Sequence, residues 1–207
     1  MKQDEAVVFI HGIWMKGYEL AYLSHHLKKQ GYQIYHFKYK SLRKTPEKNA
    51  DSLNYFLEKI KQPIIHLVSH SLGGIIVLHL FDRHPQVKPG KIIMLATPIS
   101  GSAVAKHIYQ HSRLRWILGK STEHGLLGDT PAWNSEHNIY MIAGKKSVGI
   151  GMLLAFKALT KPNDGTVNCK ETIAPYIRQH FVVPHSHFSM LISRKVAKKI
   201  SEILADK

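Results

Sequence analysis

The chain reads as an α/β domain: one mostly parallel sheet of about six strands, helices on both faces, and a small lid or cap insert. Three observations predict it. Short apolar runs and segments of helical period alternate about six times along the chain. The first run, residues 6–10, is continuous and rich in β-branched residues, as befits a buried strand. A length of 207 residues with 44% hydrophobic content closes one substantial core, so residues 1–207 are read as a single domain.

The elements follow in order. Residues 6–10 form a buried strand ended by His11-Gly12, and 19–29 a helix with Leu20, Leu23 and Leu27 on one face. Gly31 ends that helix, and 32–37 is the second strand. Pro46 sits where a first helical turn tolerates it, ahead of an amphipathic face of Ala50, Leu53, Phe56, Leu57 and Ile60. Pro63 opens the strand 64–68, and 72–81 is apolar enough for a largely buried helix. Strands are expected at 91–96, 139–143 and 178–183, and a closing amphipathic helix at 189–204. Residues 97–138 break the alternation with short helical pieces, Gly119, Gly125, Gly128 and the exposed-looking Trp116 and Trp133. A connection of that length in a small domain is usually functional, so 97–138 is the candidate lid or cap.

The formal net charge is +15, with basic residues gathered at 28–29, 38–48 and 194–199. Such charge attracts nucleic acid or anionic lipid through long-range fields and says little about fold. Zinc-finger spacing, an aromatic-plus-basic RNP signature and a long basic helix are all missing, so a specific nucleic-acid partner is not expected. A solvated basic surface is the simpler reading, with peripheral contact to anionic membrane kept as a salt-sensitive expectation. Cys169 is the single cysteine, and the apolar run 6–10 is too short for a signal-peptide core. A cytoplasmic protein is expected. The sequence is silent on oligomeric state.

One short stretch carries chemistry. In Val68-Ser69-His70-Ser71-Leu72-Gly73-Gly74 a serine stands at the joint between two buried segments. Ligands of open parallel sheets bind outside the carboxyl ends of the strands. A serine on a tight strand-to-helix turn there presents its hydroxyl outward, at the N-terminus of the helix. Such a turn drives the two backbones together and needs small residues two before and two after the serine. Gly73 meets the second need fully, and Ser69 meets the first approximately. A serine hydroxyl alone is a poor nucleophile, so a base and a charge partner are expected elsewhere.

With these residues the chain resembles the α/β-hydrolases of the lipase and esterase type, whose triad runs serine, acid, histidine. Pro162-Asn163-Asp164-Gly165-Thr166-Val167 is similar to that family's acid turn, and His187-Phe188-Ser189-Met190-Leu191 to the segment carrying its histidine. The resemblance therefore implies Ser71, Asp164 and His187 as catalytic residues. His185 competes with His187, which fits better because Met190-Leu191 follows at the family's spacing; Asp129, Glu136 and Glu171 are less well placed than Asp164. Phe9-Ile10-His11-Gly12-Ile13-Trp14 resembles the first oxyanion loop. It implies the backbone N–H groups of Ile13 and Leu72 as oxyanion donors. Gly12 then lets the backbone approach substrate, while His11 stabilises the loop and His70 serves packing and orientation. A fourth segment, 93–102, resembles a strand-and-turn motif of these enzymes and is read as structural.

The resemblance implies a small lipase-like or carboxylesterase-like hydrolase. It would cleave carboxylic, lipid-like esters through an acyl-serine, with no metal and no organic cofactor. Trp14 and Met152 are expected to bind substrate, Met152 from the apolar segment 148–156, although an ordinary buried helix is the simpler reading of that segment. The same triad serves acyl transfer and thioester or amide cleavage. A non-catalytic binding protein on this scaffold is the contrasting reading.

Overall fold

Six strands form one sheet: β1 (Glu5–Ile10), β2 (Gln33–Phe37), β3 (Ile64–His70), β4 (Ile92–Leu95), β5 (Ile139–Gly144) and β6 (Ile177–Val183). The computed structural model describes residues 2–87, 90–111 and 113–206, so Ser112 of the expected insert lies outside the described residues. The strands run in the order β2-β1-β3-β4-β5-β6, and all five pairings are parallel. Between them lie α1 (Ala21–Lys28), α2 (Pro46–Leu57), α3 (Leu72–Arg83), α4 (Ala103–His111), α5 (Ile150–Leu154) and α6 (Arg194–Ala205).

The period of two in each strand sends alternate residues to opposite faces. Val7 and Phe9 of β1 join Val68, Ile93, Leu95 and Ile142 in a core closed by Leu23 and Leu27 of α1 and Val196 and Ile200 of α6. Val8 and Ile10 join Leu67, Ile92, Met94 and Met141 on the other face, under Leu53 of α2 and Ile76 and Leu80 of α3. A third cluster packs Val104, Ala105 and Ile108 of α4, with Leu118 and Leu126, onto Leu72 and Ile75 at the start of α3. The segment expected as a lid is thus anchored by buried side chains around α4. A fully buried aliphatic side chain stabilises a domain by about 1.5–3 kcal/mol.

Chain order reverses beside β1, which is flanked by β2 and β3. At such a switch the loops leaving neighbouring strands part and open a crevice at their carboxyl ends. The loop after β1 and the turn after β3 both lie there.

Three expectations are corrected. The closing helix is not continuous over 189–204: a 3-10 turn at Ser189–Ile192 stops at Ser193, whose backbone is extended and whose hydroxyl accepts the Val196 N–H at 3.3 Å to cap α6. Segment 148–156 is no buried helix; α5 is five residues long, and Leu153 and Phe156 are exposed. Trp133 is not exposed but half-buried, with its ring 4.8 Å from Phe81 and stacked on Tyr176. Trp116 is exposed as expected. Among the described residues no helix is long and apolar enough to cross a membrane.

Candidate active site

Ser71 occupies the single residue between β3 and α3, with φ 53° and ψ −121°. A non-glycine residue holds positive φ only when its surroundings over-determine it, and such strain gathers at functional turns. Its N–H donates to Leu95 O of β4 at 2.9 Å, and its carbonyl accepts the Gly74 N–H at 3.0 Å. A Cβ on Gly73 would lie 2.6 Å from Ile10 O and 2.7 Å from His11 O, so α3 crosses the end of β1 at backbone contact. Ser69 is fully buried, and its hydroxyl donates weakly to Ile93 O at 3.4 Å. Its side chain is thereby satisfied on the neighbouring strand.

The loop after β1 is braced from both sides. His11 is buried, stacks on Tyr39 with centroids 4.2 Å apart, and donates from Nδ1 to Gly12 O at 2.8 Å. Tyr39 Oη donates to His11 O at 2.7 Å, and burial pushes its phenol well above the usual range. The Gly12 N–H points to Met15 Sδ at 3.3 Å. Trp14 has φ 62°, and its indole N–H donates to Ile117 O at 2.7 Å, tying this loop to the insert. Leu72 is the first residue of α3, where an N–H has no partner within the helix. Neither its amide nor that of Ile13 has an acceptor among the described residues.

Asp164 and His187 come from loops at the same sheet edge. Asn163 Oδ1 accepts the Gly165 N–H at 3.0 Å, and Gly165 has φ +88°, so Asn163-Asp164-Gly165 is a tight Asx turn. Asp164 is buried, and Oδ1 accepts the amides of Thr166 at 2.9 Å and Val167 at 2.7 Å. Its other oxygen, Oδ2, accepts from His187 Nδ1 at 2.7 Å. The His187 amide donates to Asp164 O at 2.9 Å, locking loop to loop. With Nδ1 engaged, Nε2 is the ring nitrogen able to receive a proton. His187 and Ser71 line one cavity with Gly12, Ile13, Trp14 and Thr166.

A larger apolar cavity also reaches Ser71. Its walls are Val104, Ala105 and Ile108 of α4, Leu118 and Leu126 of the insert, and Ile150 and Leu154 of α5. Trp14 lines both cavities. Met152 lines neither of these two: positions 150 and 154 share one helical face, and 152 lies about 200° around the axis. Thr166 lines both, and its buried hydroxyl has no hydrogen-bond partner among the described residues. Sequence reasoning passed over Thr166, Ile150 and Leu154. The first stands inside the recognised acid turn; the others show only once helix direction is known.

The competing side chains have other tasks. His185 Nε2 is 2.8 Å from Ser193 Oγ at the start of α6. The Asp129 carboxylate accepts the amides of His124 and Gly125. Glu136 lies with Trp133 in a separate depression at the far end of α3, about 15 Å along the helix from Ser71. Glu171 completes a capping box with Asn168, whose N-x-x-E spacing is legible in sequence, and accepts the Ala103 amide at 3.1 Å. Burial pushes its carboxyl up, against the pull of those donors. Cys169 is buried, its thiol 3.1 Å from Gly144 O. Among the described residues no group of three His, Cys, Asp or Glu side chains could hold a metal ion.

A buried carboxylate–imidazole pair that shares a cavity with a strained serine can draw the proton from that hydroxyl. Over residues 1–136 the chain matches the family described as "Domain of unknown function (DUF7379)". No curated protein matches it in sequence. Among solved structures, the mature form of lipase BlEst2 from Bacillus licheniformis superposes with a TM-score of 0.80 at 22% identity, covering 96% of this chain and 91% of that one. The propeptide form of that lipase has a TM-score of 0.82 at 20% identity, covering 98% of this chain and 50% of its own. The metagenomic carboxyl esterase MGS0156 has a TM-score of 0.69 at 16% identity, covering 99% and 76%. The fold is that of the α/β-hydrolases, as the serine, acid and histidine segments implied.

Proposed function

The chain belongs to the family described as "Domain of unknown function (DUF7379)", which assigns no chemistry, and we propose from its site that it hydrolyses carboxylic esters through an acyl-serine. The observation that carries this reading is the 2.7 Å contact of His187 Nδ1 with buried Asp164, at a cavity shared with the strained Ser71. The fold neighbours, a lipase and a carboxyl esterase, support it.

In this mechanism Ser71 Oγ attacks the ester carbonyl carbon while His187 Nε2 takes the hydroxyl proton. Asp164 holds the Nδ1–H tautomer and stabilises the imidazolium. The amides of Ile13 and Leu72 receive the oxyanion, each such donor being worth about 3–4 kcal/mol in the transition state. Collapse breaks the bond to the alkoxy oxygen, which leaves with the proton from His187. Water then attacks the acyl-serine, gives its proton to His187, and that proton returns to Ser71 as the acid departs. The acyl chain lies in the cavity walled by α4 and α5, which favours apolar acyl groups.

A fluorophosphonate probe tests the reading. Wild type is expected to be labelled and Ser71→Ala not, with hydrolysis of p-nitrophenyl butyrate falling at least a thousandfold in the variant. Equal labelling of both proteins, or of neither, refutes a live nucleophile at Ser71.

A further inference from the structure

The cavity walls have an outer side, and it is apolar. Leu153 is 84% exposed, Trp116 72%, Phe156 66% and Val148 59%. Leu153 sits on α5 between Ile150 and Leu154, which line the Ser71 cavity, and Trp116 stands two residues before Leu118, which also lines it. Leu153 and Trp116 therefore ride on short elements that wall the cavity, and Val148 and Phe156 lie two residues to either side of α5. Single exposed apolar residues are ordinary on a protein surface; several large ones on the rim of one opening mark an interaction surface.

The charge on those elements is one-sided. Residues 97–122 and 145–163 contain eight Lys or Arg and no Asp or Glu. Arg113 and Arg115 are exposed beside Trp116, and Lys157 beside Phe156. We propose that this rim docks the protein onto an anionic lipid bilayer, with Trp116, Leu153 and Phe156 entering the interface and the flanking Lys and Arg meeting the headgroups. Large apolar side chains interleaved with long cationic ones suit a boundary where the first sit among acyl chains and the second reach back to phosphate. A second copy of the chain is disfavoured, because it would bring two cationic rims of a +15 protein face to face. The docking goes beyond the ester-hydrolase reading and stands without it. If both hold, an ester enters the α4–α5 cavity directly from the lipid surface.

Vesicle co-sedimentation tests this. The wild-type chain is expected to sediment with phosphatidylglycerol vesicles at low salt and much less at high salt, and only weakly with phosphatidylcholine. Arg113→Glu with Arg115→Glu lowers partitioning at least 25-fold, at about fivefold per cation removed. Leu153→Asp with Phe156→Asp abolishes binding while leaving the circular dichroism spectrum and hydrolysis of a soluble butyrate ester unchanged. Ser71→Ala binds as wild type does, so a failure of the esterase reading leaves this result standing. The proposal is overturned by absent binding, by equal salt-independent binding to both lipids, or by unaltered binding of the Leu153/Phe156 variant. It is equally overturned by a dimer in sedimentation equilibrium that the Leu153/Phe156 variant dissociates, because the occupant would then be a second copy.

Discussion

The imidazole of His70 lies against that of His187, centroids 4.5 Å apart, and its Nε2 donates to the His187 carbonyl oxygen at 3.1 Å. Burial above all, and then the neighbouring His187, hold His70 well below the ordinary histidine range, so it stays neutral and its single N–H stays on the carbonyl. His11, His36, His66, His79, His180 and His185 are lowered too, each chiefly by burial. The unfolded chain takes up protons as pH falls through about 6.5, where the folded one does not. Stability is therefore full above that value and is lost as pH falls below it. Glu171 acts in the opposite sense, as one group against seven. Melting temperature is expected to drop steadily from pH 7.5 to 5, and a flat or rising profile would contradict these burials. In His70→Phe the slope is shallower by up to one proton, on a protein destabilised by about 1–3 kcal/mol for the unpaired carbonyl.

Asp164 serves both its turn and His187, and two substitutions separate these roles. Asp164→Asn is expected to lower kcat roughly ten-thousandfold with KM little changed, because the Nδ1–H tautomer is no longer enforced. Asp164→Ala should also lower the melting temperature, since the amides of Thr166 and Val167 lose their acceptor. Loss of stability in both with kcat within tenfold of wild type would leave Asp164 a turn residue only.

The turn that presents Ser71 is tight on one side only. A methyl on Gly73 meets backbone oxygens of Ile10 and His11, which cannot swing away. Gly73→Ala is expected to destabilise the protein by about 1–3 kcal/mol and to displace the Ile13 amide, lowering kcat. Ser69→Gly should cost only about 1–2 kcal/mol, for the weak bond to Ile93 O and the added chain freedom, with kcat within threefold. Equal effects in thermal melts and turnover would show that both positions are crowded alike.

Chain-length preference follows from the apolar cavity. Ala105 is buried on α4 and lines it, so Ala105→Leu projects three more carbons into the space proposed for the acyl group. The octanoate-to-butyrate ratio of kcat/KM is expected to fall about tenfold or more, because even one misplaced methylene is worth about 1–3 kcal/mol. An unchanged ratio would place the acyl chain elsewhere.

Local chemistry was legible where a residue's role is set by its immediate neighbours. The Ser71 turn needs small flanking residues, and the Asn163-Asp164-Gly165 turn is written in three side chains. β1, β4 and β5 could be read because they are apolar almost throughout, and the helices because their apolar faces recur at helical period. The break at Ser193 was missed because 189–204 is amphipathic on both sides of it, and a serine within such a run equally fits a helix or a cap. The exposed α5 was missed because an apolar segment reads as buried whenever its neighbours in space are unknown.

By itself the sequence determined the kind of fold, the serine turn and the acid turn, since these follow from periodicity and from contacts within a few residues. Only the tertiary structure decided which histidine meets Asp164, that Trp14 is tied to Ile117, and which side of 148–156 faces the cavity. Those relations join segments separated by 23, by 103 and by more residues, and they depend on where β1, β3, β5 and β6 end in space. No local propensity carries that distance; the parallel sheet does, by bringing the carboxyl ends of its strands to one edge.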